Sequence, residues 1–418
     1  MHVKLKLAAE KLDCLNALEM IGLRPIHPFP ARMSPEIVWD ELPAPPNRVR
    51  VLDPMMGSGT TLVAARMRGH EAIGFDRDPL AVLIAGAWAS DVDVIFAQRK
   101  AEEVLNRAKE RARGIKQRDA YPRGASDETK EFVRYWFDTT NRTQLAALAD
   151  SISATHNPHI KRLLWCAFSR LIITKQSGVS LAMDISHSRP HKTRDKAPIN
   201  AFDHFERAMR QITKAAPFSG SEPSRPQISV ENGDARQLPL ENESVDVVVT
   251  SPPYLNAIDY LRGHKFSLVW MGHDVAEVRE LRSTNVGAEV SAESCDNDKA
   301  TETIMQQMCD GELRGRSHGM LRRYVRDLRK CMSENFRVLR PGGKAVYVVG
   351  NCNLRDAYVE NSACVNALAE EVGFDVRSTR KRPLPENRRY LPPPGKRGAG
   401  AALHKRMREE VILTLVKN

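Results

Sequence analysis

Short unbroken apolar runs bounded by turn residues alternate along this chain with longer stretches whose apolar positions recur every three or four residues. The first pattern marks strands buried on both faces, the second amphipathic helices. Val51-Leu52-Asp53 is a short run leading to a glycine turn, Gly57-Ser58-Gly59. Leu62, Val63, Ala64, Ala65 and Met67 then predict a helix over 60–68, stopped by Gly69. Glu71-Ala72-Ile73-Gly74-Phe75 predicts a second strand, ending at Asp76. Strand, glycine turn, helix and strand in that order open a doubly wound sheet.

Between 91 and 225 the pattern changes. Helices are predicted over 97–113, 131–152, 158–174 and 200–215, with no strand legible among them. This stretch reads as a helical insertion, leaving through a Pro/Ser/Gly-rich linker at 217–226. Strand runs resume at Ile228-Ser229-Val230, before Gly233-Asp234, and at 245–250, before Ser251-Pro252-Pro253-Tyr254. A second insertion, 276–316, is polar, and a helix follows over 324–339. Pro341-Gly342-Gly343 then turns into a strand over 344–350, followed by a helix over 363–372 and strands at 374–379 and 411–416. The expected fold is α/β, a mostly parallel Rossmann-like sheet. Its first half lies in 1–90, the helical insertion in 91–225 and its second half in 226–418.

Composition narrows the class. With 42% hydrophobic and 28% charged residues the chain can bury a sizeable core. No apolar run approaches the roughly 20 residues needed to span a bilayer. Residues 1–22 mix Lys and Glu into a helical pattern and lack a signal peptide's apolar stretch, so the cytoplasm is expected. The seven cysteines (14, 166, 295, 309, 331, 352 and 364) form no CxxC pair, so neither a disulfide framework nor a metal site is expected. The net charge of +11 points to a polyanionic partner. From Arg377 to Arg408 there are eleven Lys or Arg and one acid, Glu386. A basic loop at 377–408 suits phosphate contacts, a solvated surface loop being the plainer alternative.

Two constellations carry chemistry. In Asp53-Pro54-Met55-Met56-Gly57-Ser58-Gly59-Thr60-Thr61, two glycines between strand and helix let the backbone pass close to a ligand. No Gly-Lys-Ser/Thr follows, and Leu62 stands where a dinucleotide fingerprint has its third glycine. Asp76, 17 residues after Gly59, ends the next strand, where a carboxylate accepts from ribose hydroxyls. In Ser251-Pro252-Pro253-Tyr254 the prolines remove backbone donors and stiffen the turn. The Ser251 hydroxyl and the Pro252 carbonyl can accept both hydrogens of an amino group, and Tyr254 can stack on a flat ring. An aromatic amine needs such acceptors, because its lone pair is delocalised until the nitrogen is drawn toward tetrahedral geometry.

With these motifs the sequence resembles the amino-methylating DNA methyltransferases, which modify cytosine N4 or adenine N6. Residues 53–61 resemble that family's cofactor motif, with Met55 in place of Phe. Residues 249–254 match its Ser-Pro-Pro-Tyr signature, most often seen on the cytosine-N4 branch; adenine-N6 members more often carry Asp or Asn where Ser251 stands. Gly233-Asp234-Ala235-Arg236 resembles the strand end that contacts the cofactor's adenine, and Leu339-Arg340-Pro341-Gly342-Gly343 the turn before strand five. His27-Pro28-Phe29-Pro30-Ala31-Arg32 resembles a segment whose aromatic ring packs near the cofactor.

The resemblance covers 27–90 and 227–418. It implies a class I methyltransferase fold with seven strands, S-adenosyl-L-methionine as cofactor and double-stranded DNA as partner. The target would be an exocyclic amino nitrogen of a flipped base, cytosine N4 first and adenine N6 as the alternative. It assigns the cofactor to Phe29, Asp53, Gly57, Ser58, Gly59, Asp76 and Asp234, and catalysis to Ser251, Pro252, Pro253 and Tyr254. The cofactor half precedes the catalytic half, the reverse of many Ser-Pro-Pro-Tyr enzymes, which leaves the branch open. A cytosine-C5 mechanism is excluded, since no Pro-Cys occurs.

DNA contacts are expected from the helical insertion, with basic stretches at 107–118 and 186–192, and from 314–330 with the 377–408 loop, including Arg388 and Arg389. Arg262 and Lys265, just after the catalytic turn, are candidates to flank the flipped base or else ordinary helix-face residues. Two rival readings are an RNA base methyltransferase and an inactive DNA-binding specificity subunit. No nuclease motif is legible, so a cognate restriction or defence-system protein is a candidate partner.

Overall fold

The computed structural model describes residues 23–174, 178–187, 190–218, 225–255, 259–287, 298–311, 313–354, 357–384 and 409–418. Arg388, Arg389 and the helical pattern of 1–22 lie outside them. The chain divides into two compact units: Met1–Pro30 with Leu83–Arg225 and Tyr260–Ala276, and Ala31–Val82 with Pro226–Asp259 and Glu277–Asn418.

The second unit is built on seven strands: β1 (Arg50–Asp53), β2 (Glu71–Asp76), β3 (Ile228–Asn232), β4 (Val245–Thr250), β5 (Leu339–Val349), β6 (Asp375–Pro383) and β7 (Glu409–Val416). Their order is β3-β2-β1-β4-β5-β7-β6. β1 to β5 pair in parallel, and β7 runs antiparallel to both β5 and β6. This is the seven-stranded sheet of class I S-adenosylmethionine-dependent methyltransferases. Val51, Leu52, Val245, Val247, Val248 and Val249 are buried, as expected of central strands covered on both faces. β5 starts at Leu339, before the Pro-Gly-Gly turn, and its register against β4 shifts between Val245 and Val247. The turn is carried inside the strand as an irregularity.

Helices α1 (Pro35–Glu41) and α2 (Thr60–Met67) belong to this unit, and α3 (Pro79–Ala89) begins in it. On helix α10 (Gly315–Val338), Leu321, Val325, Leu328 and Met332 recur every three or four positions and enter the same core as Tyr347 and Leu413. Helix α11 (Asn361–Val372) adds Val365 and Leu368 to that core.

The first unit is helical: α4 (Val94–Ala112), α5 (Asp127–Trp136), α6 (Thr139–Ser153), α7 (Pro158–Ile172), α8 (Ala201–Ala215) and α9 (Tyr260–Leu268). Asp93, Ser126, Asp138, Asn157 and Asn200 each accept a hydrogen bond from the first turn of the helix they precede. Asp138 corrects the expected single helix over 131–152. Its carboxylate accepts from Asn141 N at 2.8 Å and starts a new helix where Phe137 turns extended. The expectation of no strand in this unit also fails, since Ala182–Met183 pairs antiparallel with His191–Lys192.

Candidate active site

In the sheet unit, β1 and β4 lie side by side, and β3 follows β2 outward from β1. The order reverses between β1 and β4, which is where an open α/β sheet leaves a crevice at its carboxyl ends. The cofactor motif leaves β1 there and the Ser-Pro-Pro-Tyr turn leaves β4.

The glycine turn needs its glycines. Gly57 and Gly59 have φ of 51° and 86°, and Gly59 caps α2 in the left-handed region. Met56 N donates to Phe75 O at 3.0 Å and Gly57 N to Asp76 Oδ2 at 2.9 Å, seating the turn on the end of β2. Ser58, Thr60 and Thr61 are buried. Gly74 lets α2 approach β2: a Cβ there would stand 2.6 Å from Met56 Sδ and 2.7 Å from Leu62 Cδ1.

Three carboxylates end the neighbouring strands. Asp53 is buried and accepts from Thr250 Oγ1 at 2.8 Å and Met55 N at 3.1 Å. Burial pushes its carboxyl up to about 6, against the lowering hydrogen bonds of Thr61, Thr250 and Met55. Asp76 also accepts from Asp78 N at 2.9 Å. Its carboxyl is raised to about 7 by burial and by the charge of Asp78, with the Asp78 and Gly57 amides opposing. Asp234, beyond β3, is clamped by Arg77 Nη1 at 2.9 Å and by Arg236, at 3.0 Å from Nε and 2.7 Å from Nη2. Burial works to raise Asp234, but the Arg236 and Arg77 guanidinium groups hold it below the usual carboxylate range.

In the catalytic turn, Ser251 Oγ donates to Val348 O at 3.0 Å and lies 3.3 Å from the Tyr254 hydroxyl. Pro252 is buried, while Pro253 and Tyr254 are half-buried, Tyr254 against the core. The two turns are joined directly. Thr250 bonds Asp53, and Thr61 Oγ1 donates to Val249 O at 3.4 Å. Thr250, Thr61, Arg77 and Arg236 were not singled out as site residues. Three of them stand inside motifs, Thr61 at the end of 53–61, Thr250 within 249–254 and Arg236 in Gly-Asp-Ala-Arg, while Arg77 carries no such signal.

The structure thus gathers Asp53, Gly57, Ser58, Gly59, Asp76, Asp234 and Ser251 to Tyr254 on adjoining strand ends of one unit. Phe29, Arg262 and Lys265 belong to the helical unit. Phe29 stacks on Tyr260 with centroids 5.1 Å apart and tilts against His264 at 5.3 Å. Next to it, His27 Nε2 bonds Ser169 Oγ at 2.9 Å, which bonds Ser267 Oγ at 2.9 Å. Arg262 is exposed, and the Lys265 ammonium sits 4.9 Å from the Phe132 ring centroid. Among the described residues no cluster of three His, Cys, Asp or Glu could hold a metal, and no helix is long and apolar enough to cross a membrane.

No family model matches the chain. The type II methyltransferase M.MvaI of Kocuria varians is 21% identical over 391 residues, covering 87% of this chain and 84% of that protein. The type II methyltransferase M.BsoBI of Geobacillus stearothermophilus is 22% identical over 384 residues, covering 78% and 72%. The chain is homologous to type II methyltransferases. A SAM-dependent methyltransferase of Methanosarcina mazei superposes with a TM-score of 0.32 at 9% identity, covering 91% and 96% of the two chains, too loosely to add to the strand order. The cofactor of the methyltransferase is S-adenosylmethionine. The residues present fit it: a turn that only glycine follows easily, and carboxylate acceptors at the ends of β2 and β3 for a ribose diol and an amino group.

Proposed function

We propose that this methyltransferase acts on DNA and methylates an exocyclic amino nitrogen, cytosine N4, within a double-stranded site. What carries the reading is the Ser251-Pro252-Pro253-Tyr254 turn, bonded through Thr250 to Asp53 of the cofactor turn. One hydrogen bond couples the position of the amine acceptors to that of the methyl donor. The similarity to type II methyltransferases supports DNA as the substrate.

S-adenosylmethionine supplies an electrophilic methyl group on a cationic sulfur. Gly57, Ser58 and Gly59 would hold its methionine end, Asp76 its ribose and Asp234 its adenine. The Ser251 hydroxyl donates a hydrogen bond to Val348 O, so its oxygen remains an acceptor for one amine hydrogen. The Pro252 carbonyl accepts the other. Together they draw the nitrogen out of conjugation and aim its lone pair for in-line attack. Tyr254 stacks on the base, which must leave the duplex because its amino group is otherwise paired. The amine proton becomes acidic only after transfer and passes to water, so no dedicated base is needed. Arg262, Lys265, Arg388 and Arg389 contribute to holding the DNA, and a restriction or defence-system protein is the natural companion.

Purified protein, S-adenosylmethionine and duplex DNA, followed by nucleoside mass spectrometry, test this directly. N4-methylcytosine is the expected product. N6-methyladenine would overturn the base assignment, and methylation of RNA alone would overturn the substrate.

A further inference from the structure

Burying a guanidinium group is unfavourable unless an anion meets it, because arginine does not give up its proton. Arg142 on α6 is 7% exposed and has no carboxylate within ion-pair distance among the described residues. Its Nη1 donates to the Tyr121 hydroxyl at 2.8 Å, its guanidinium lies 5.1 Å from the Tyr121 ring centroid, and its Nε is buried without a partner. Exposed Arg134 on α5 donates from Nε to the same hydroxyl at 3.2 Å. Glu131, three residues earlier on that helix, acts on Arg134 through its charge alone. Burial works to raise the Tyr121 phenol, but the two arginines outweigh it and leave it below its ordinary value. Two cations therefore converge on one half-buried hydroxyl with no acid between them. The surrounding chain is basic too. Arg111, Arg113, Lys116, Arg118 and Arg123 are all exposed, against Asp119 as the one acid from 111 to 123.

We propose that Tyr121, Arg134 and Arg142 form an anion site that takes a phosphodiester of the DNA backbone. The proposal rests on the DNA-methyltransferase reading and places a contact point within the helical unit. Phosphate oxygens accept charge-assisted bonds from both guanidinium groups and a bond from the phenol, and the bound charge compensates buried Arg142. Such a contact sets affinity and register and carries no base identity.

The test is duplex binding by the full chain, followed by fluorescence anisotropy over about 50 to 200 mM salt. Arg134→Gln, at an exposed position, is expected to flatten the slope of log affinity against log salt by about 0.9, on specific and unrelated duplexes alike. Tyr121→Phe keeps both charges and is expected to weaken binding several-fold with the slope unchanged. Arg99→Gln, on an exposed arginine facing Glu103 at 3.8 Å, is the control and leaves the slope alone. An unchanged slope in Arg134→Gln beside a steep wild type overturns the site and leaves the DNA reading standing. A wild type that binds no duplex overturns both. Inorganic phosphate, titrated by phosphorus NMR, separates the sources. Phosphate binding lost in Arg134→Gln with the duplex slope intact would assign the site to free phosphate and overturn the DNA contact.

Discussion

Ser251 and Tyr254 occupy one short turn, yet the proposed mechanism gives them different work, and their variants should separate. Ser251 Oγ is held by Val348 O, so its acceptor is aimed before any substrate arrives. Ser251→Ala should lower the single-turnover rate while leaving cofactor affinity near normal, because the acceptor matters most as the amine rehybridises. Tyr254→Ala should lose stacking worth about 1–3 kcal/mol, read with a fluorescent base analogue at the target position. Wild-type rates in both would remove the turn from the chemistry. Asp76 carries a pH prediction. Its carboxyl is raised from 3.8 to about 7, so the folded protein binds that proton more tightly than the unfolded chain. Asp76's contribution to stability is therefore present below pH 3.8 and is lost as pH rises toward about 7. Ribose hydroxyls need the ionised form as acceptor, so cofactor affinity should move the other way and fall as pH drops below about 7. Calorimetry across that window should show proton release on binding, absent in Asp76→Asn.

At the scale of elements, local chemistry decided where most helices of the first unit start. Helices α4 to α8 each start at an Asp, Ser or Asn that accepts from the first turn. Asp138 does double duty, since Oδ2 also accepts from Ala197 N at 2.8 Å and ties the start of α6 to the chain ahead of α8. Asp138→Ala should lower stability by about 1–2 kcal/mol in urea melts, the range of a lost cap. Its signal was legible in the sequence as Asp138-Thr139-Thr140-Asn141, but the apolar period running through 131–152 concealed it. The ribbon of Ala182–Met183 and His191–Lys192 left no such trace, because two-residue strands are too short to show a period.

For the whole molecule, the net charge of +11 and the dense basic segment from 377 to 408 imply an affinity for DNA that is strongly salt-dependent. Neutralising Arg388 and Arg389 to Gln should weaken binding to every sequence and flatten the salt slope by nearly one unit per lost phosphate contact. A changed sequence preference with an unaltered slope would mean that these residues read bases instead.

The sequence by itself determined the α/β class, the glycine turn, the serine-proline-proline-tyrosine turn and the strands that lead into them. These features are local: buried parallel strands are written as short apolar runs, and tight turns demand glycine or proline at particular places. The tertiary structure alone decided which strand ends adjoin. β1 and β4 are neighbours although 191 residues separate Asp53 from Val245. Only that adjacency lets Thr250 bond Asp53, and folding likewise brings Arg77 to Asp234 and Arg134 and Arg142 to Tyr121. Contacts across such distances along the chain leave no period and no motif. They exist because burial of the sheet and of the helices fixes where those side chains stand, and a buried carboxylate or guanidinium group must then find its partner there.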